Sequence, residues 1–163
     1  MAYASQAPLE RRLAGFEVDL SGAPSVETLF RGLRGAKVAA YHIEPDIGLA
    51  LDVTAWGDTP ETKLPAVRLG AGPAVKIMDR SMIASPLVRE KLFEAAQAAG
   101  VAVQREVLAF GGTDGGAIQT NRAGVPTGTL SIPCRYVHSA LEMIDLRDME
   151  GALKVLLQFV DLA

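Results

Sequence analysis

Short apolar runs of strand length alternate with segments of helical period along most of this chain, and that alternation constrains the fold more than any other feature. The run Asp46 to Val53 (containing I-G-L-A-L-D-V) is compact and apolar, as buried strands are. Ala74 to Met78, Val101 to Leu108 and Val125 to Ile132, the last ending at Pro133, read as further strands. Between them lie helical patterns. Arg34 to His42 places Ala36, Ala39, Ala40 and Ile43 at helical spacing and stops at Glu44-Pro45. Ser85 to Gly100 is the clearest: Ser85 stands at the N-cap, Pro86 at the first helical position and Gly100 at the C-terminal cap. Val88, Leu92, Ala95, Ala96 and Ala99 form its apolar stripe. Gly111 to Gly116 reads as a glycine-rich turn leading into a helix over Ala117 to Ala123. A last helix has Met149, Leu153, Leu156, Leu157 and Val160 on its predicted buried face, with Asp145 or Asp148 as cap. Thr54 to Leu69 reads as a loop. Such alternation predicts an α/β sandwich around a mostly buried central sheet.

With 163 residues the chain has the length of one domain and can bury a substantial core. Hydrophobic residues make up 49% and charged residues 21%, the balance of a folded globular protein rather than a disordered one. A net charge of −3 without Lys/Arg clusters argues against nucleic acid as a partner. Met1 to Arg12 lacks the apolar segment of a secretory signal, and no run is long enough to span a membrane. Cys134 is the only cysteine, so no internal disulfide can form. A reducing, cytoplasmic setting is therefore expected. Residues 1–31 read as an irregular segment, and regular patterning holds over 32–163.

Three polar features stand at predicted strand ends, where α/β folds place their sites. Asp52, in Asp52-Val53-Thr54, closes an apolar strand. A carboxylate there needs a cation, a metal or hydrogen-bond donors, so it is either a ligand or a loop cap. Gly111, Gly112, Thr113 and Asp114 open the run G-G-T-D-G-G. Such a run makes either a tight turn or a nest of amides for an anion. No Lys-Ser/Thr pair follows, so it is not a phosphate loop of the usual kind. His138 follows the strand ending at Pro133, with Glu142 four residues on, and is either structural or a ligand.

In their order, G-L-R-G-A-K-V-A-A-Y-H-I-E-P-D (Gly32 to Asp46), L-D-V-T, D-T-P, L-G-A-G-P-A, G-G-T-D-G-G, G-V-P-T and S-I-P-C-R-Y-V-H-S (Ser131 to Ser139) resemble the M42 aminopeptidases. The resemblance implies an α/β/α metallopeptidase sandwich, which in the family carries an inserted β-rich dimerisation domain. It also implies two divalent metal ions, zinc or cobalt, with Asp52 on one and His138 on the other, and hydrolysis of N-terminal residues from peptides. Asp114, with Gly111, Gly112 and Thr113, would lie near the substrate. Where the family carries two adjacent glutamates, one of them the general base, this sequence has Leu29 and Phe30, and Glu27 is the nearest acid. The family's upstream half has no counterpart here. The expectation is thus a sequence truncated on its N-terminal side, weakly active or inactive alone. As partners it would take peptides and either copies of itself or a full-length homologue. A non-catalytic assembly or regulatory subunit is the alternative. Glycoside hydrolysis, which would need Asp52 and Asp114 facing across a sugar, lacks an aromatic platform and ranks last.

Overall fold

A computed structural model describes residues 33–60, 62 and 67–162; the segment 1–31, with Glu27, Leu29 and Phe30, lies outside the described residues. The elements in chain order are α1 (Arg34–Ile43), β1 (Gly48–Ala55), β2 (Ala74–Met78), α2 (Pro86–Ala98), β3 (Gln104–Val107), α3 (Asp114–Gln119), β4 (Thr127–Arg135), β5 (Met143–Ile144) and α4 (Leu146–Leu162). The strands form one sheet in the order β1-β4-β2-β3, with β5 pairing on β4. β1 runs parallel to β4, and β2 parallel to β3, while β4 and β2 meet antiparallel.

Side chains alternate across a strand, so the register sorts the sheet into two faces. Leu49, Val75, Leu130 and Ile132 point to one face and pack with Val88, Leu92, Ala95 and Ala96 of α2 and Ala152, Val155 and Phe159 of α4. The other face carries Ala50, Asp52, Thr54, Lys76, Glu106, Thr129 and Ser131, and the short α3, itself packed on α1, lies over β1 and β4. Helices on both faces make this the expected α/β/α sandwich. The apolar face holds the core, and the opposite face is lined by polar and charged side chains.

Several local expectations shift. The helix after the glycine run starts at Asp114 rather than Ala117 and ends at Gln119. β4 continues through Pro133 to Arg135. The proline fits because it falls between the residues paired with β2 (Leu130 and Ser131) and those paired with β5 (Cys134 and Arg135). α2 ends in a Schellman motif: Gly100, at φ +64°, donates to Gln97 O, and Val101 donates to Ala96 O. Ser85 occupies the N-cap of α2 but makes no side-chain capping bond. Asp145 caps α4, its Oδ1 accepting from the Arg147 amide at 2.9 Å, and the Arg147 guanidinium holds its pKa down to about 2. Asp148 instead is buried and accepts the amides of Gly70 and Gly72, pinning the loop before β2 to α4.

The largest difference concerns which side of α4 is covered. Gly151, Ala152, Val155 and Phe159 face the sheet, whereas Met149, Leu153 and Leu157 of the expected stripe, together with Leu146, are exposed. The helix is apolar over most of its circumference, so periodicity alone selected the wrong arc. Ile43 of α1 is exposed as well, only Ala40 of that helix being buried.

Candidate functional site

Asp52 lies within β1, three residues before its end at Ala55, and His138 lies in the turn three residues after the end of β4. β1 and β4 are parallel, Asp52 pairs with Ser131, and Ala55 pairs with Cys134, so the segments following both strands emerge together. Two contacts join them. Asp58, after β1, accepts from Nε and a terminal nitrogen of Arg135 at 3.0 and 2.9 Å, a bidentate pair at the end of β4. The Trp56 and Tyr136 rings lie 5.3 Å apart between centroids. The Arg135 hydrogen bond lowers the Asp58 pKa, with the Leu69 amide adding to it against the cost of burial.

Asp52 is half-buried, and its Oδ1 accepts the adjacent Val53 amide at 2.8 Å. Beside it across the ladder stands Ser131, whose buried hydroxyl lacks a hydrogen-bond partner. Asp114, at the first turn of α3, stays exposed, yet partial loss of its surrounding water and then the charge of Asp52 raise its carboxyl pKa. His138 is exposed in a left-handed turn at φ +65°, its amide donating to Glu142 Oε1 at 2.7 Å.

In the glycine run, the close approach is to the chain itself. A Cβ on Gly115 would come within 2.5 Å of Met82 Sδ, and one on Gly116 within 2.7 Å of Ser81 Cβ. Thr113 is buried and donates to Asp79 Oδ2 at 3.1 Å, while Asp79 Oδ1 accepts from the Ser81 amide, the Ser81 hydroxyl and the Met82 amide. Asp79 thus docks the start of α3 on the turn after β2. Gly111, Gly112 and Asp114 remain exposed. Sequence reasoning passed over Asp79, Lys76 and Glu106. The available signal was a charge inside the apolar run A-V-K-I-M.

Carboxylate and imidazole are donor types that zinc and cobalt accept. Among the described residues, however, no three His, Cys, Asp or Glu side chains come together to hold an ion. Structural and catalytic zinc sites take about three or four protein donors. The described residues by themselves therefore do not fit a two-metal centre.

The fold is thus an α/β/α sandwich with a carboxylate inside β1 and an imidazole in the turn that follows its parallel neighbour β4. The profile of the M42 glutamyl aminopeptidases matches residues 31–155. The lysyl aminopeptidase of Pyrococcus furiosus is 39% identical over 147 residues, covering 89% of this chain and 41% of the relative. An aminopeptidase of the archaeon Desulfurococcus kamchatkensis superposes with a TM-score of 0.77 at 43% identity, over 81% of this chain and 38% of that one. The TET1 peptidase of Pyrococcus horikoshii, which assembles into a tetrahedron or a large octahedral shell, gives 0.69 at 35% identity, over 80% and 37%. This chain belongs to the M42 peptidase family. It spans about two fifths of the length of the curated relatives it matches.

Proposed function

We propose that this chain carries part of a metal-dependent aminopeptidase centre, with Asp52 and His138 each contributing one donor to a divalent ion, zinc or cobalt. The parallel β1/β4 pair, with Asp52 inside it and His138 in the turn beyond its carboxyl end, where Asp58–Arg135 joins the two exit segments, supports this reading most directly. The substrate would be the N-terminal residue of a peptide, with Asp114, Gly111, Gly112 and Thr113 beside it. Asp52 and His138 fill too little of a coordination sphere to hold an ion tightly, so the chain alone binds metal weakly and hydrolyses peptides poorly or not at all. Glu27 is the acid nearest the family's general-base position. Calorimetric titration with cobalt tests the assignment. Asp52→Asn and His138→Ala should each weaken uptake about tenfold or more, and uptake indifferent to both would refute it.

The uncovered apolar arc of α4 supports assembly with a second copy of this chain. Turned antiparallel about Leu153, two such helices set Met149 against Leu157 and Leu146 against Val160, a self-complementary pairing of the kind a two-fold axis requires. The same arc would serve the alternative role, that of a non-catalytic subunit seated on a full-length homologue. Copurification with such a homologue, rather than self-association, would favour it. The lone Cys134 is compatible with a cytoplasmic, reducing setting. Among the described residues no helix is long and apolar enough to cross a membrane.

A further inference from the structure

On the polar face lies a buried charged pair that neither the metal reading nor the core uses. Lys76 on β2 and Glu106 on β3 are register partners, both completely buried, with Nζ 3.1 Å from Oε2. The contact is ionic but off the hydrogen-bonding direction, and both atoms lack a hydrogen-bond partner. The other carboxylate oxygen of Glu106 accepts the Thr54 hydroxyl of β1. We propose that the Lys76–Glu106 pair, acting through Thr54, is a positioning device for the Asp52 carboxylate.

Stability alone does not account for such a pair, because a well-packed apolar replacement is often as stable or more so. What the ions supply is reach. In the order β1-β4-β2-β3, Glu106 links the strand at one end of the path to that at the other, and Lys76 fixes its carboxylate from the strand between. Among the described residues β1 has a ladder on one side only, to β4, so a tether on its other contacts matters more than it would for a central strand. Thr54 stands two residues from Asp52 on the same face. Because the Asp52 carboxylate accepts the amide of its own neighbour, the position of the β1 backbone sets its aim. The inference rests on the reading of Asp52 as the working carboxylate.

The test uses the full chain with Thr54→Val, its rescue Thr54→Ser, and the triple variant Thr54→Val/Lys76→Met/Glu106→Leu, which leaves no buried ion unpaired. Thermal melting, hydrogen exchange of the Asp52–Ala55 amides and cobalt affinity are measured on each. The triple variant should melt within a few degrees of wild type, yet exchange about tenfold faster at the end of β1 and bind cobalt about tenfold more weakly. Thr54→Ser should restore both. Should the triple variant fail to fold, Thr54→Val decides alone, with its exchange at β1 compared against that of the α2 core. Exchange unchanged at β1, or slowed and quickened only in step with the whole molecule, overturns the proposal. A wild-type chain that takes up no cobalt would instead sink the metal reading, and the exchange measurement would still decide the positioning.

Discussion

At the residue scale, two buried or half-buried ion pairs with different surroundings should respond differently to change. Asp58 has a folded-state pKa below its ordinary value, chiefly through Arg135. Its contribution is therefore fully present above the unfolded carboxylate pKa and is lost as pH falls through the lower folded value. Asp58→Asn should cost about 1–2 kcal/mol near neutral pH, and the difference from wild type should shrink as the solution is acidified towards pH 3. Urea midpoints measured across that range check it, and a pH-independent difference would contradict the assignment. For Glu106 the concern is its complete burial. Glu106→Gln leaves the fully buried Lys76 without its counter-charge and should destabilise the protein by roughly 3 kcal/mol, whereas Lys76→Met and Glu106→Leu combined with Thr54→Val, which orphan neither ion nor hydroxyl, should be close to neutral. Equal losses in the two variants would show that the ions stabilise in their own right. Asp52, His138 and Asp114 could be singled out from the text because each is a polar residue in or just after an apolar or glycine-rich run. Lys76, Glu106, Asp79 and Asp148 could not, because their partners are supplied by other strands and loops: Glu106 reaches Thr54 across the sheet, and Asp148 reaches Gly70 and Gly72.

At the element scale, periodicity found nearly every helix and strand but misjudged which arc is buried wherever apolar residues surround the helix. The α2 stripe of Val88, Leu92, Ala95 and Ala96 is buried as expected, with Ala99 only partly covered at the C-cap, because most of the opposite face is charged or amide-bearing: Arg89, Glu90, Glu94 and Gln97. α4 offers two apolar arcs, and only packing against β4 and α2 chooses between them. The short β5 gives no signal in two residues, Met143 and Ile144. The glycines of α3 show what the sequence could not decide between a turn and a ligand cradle. Gly115 and Gly116 are small so that α3 can seat on Ser81 and Met82. Gly116→Ala should therefore destabilise the protein by about 1–3 kcal/mol, through contact with Ser81, without any ligand present. Chemical denaturation of the variant checks this. A loss seen only in the presence of peptide would return those glycines to a ligand-binding role.

At the scale of the whole molecule, the family match covers most of this chain and about two fifths of the length of its relatives. The apolar α2/α4 layer is well filled, while the polar face presents Asp52 and Asp114 beside a buried, unpartnered Ser131 hydroxyl. The exposed arc of α4, with Leu153 and Leu157 each more than half exposed, predicts self-association. Light scattering should show Leu153→Lys/Leu157→Lys moving the population towards monomer at unchanged thermal stability. An assembly size indifferent to the two lysines would remove α4 from the interface. The most direct test of the central claim is the zinc and cobalt content of the purified chain after chelation and reconstitution, counted by elemental mass spectrometry. The account predicts clearly fewer than two ions per chain, falling further in Asp52→Asn. Two ions held by each chain, undiminished by that substitution, would contradict it.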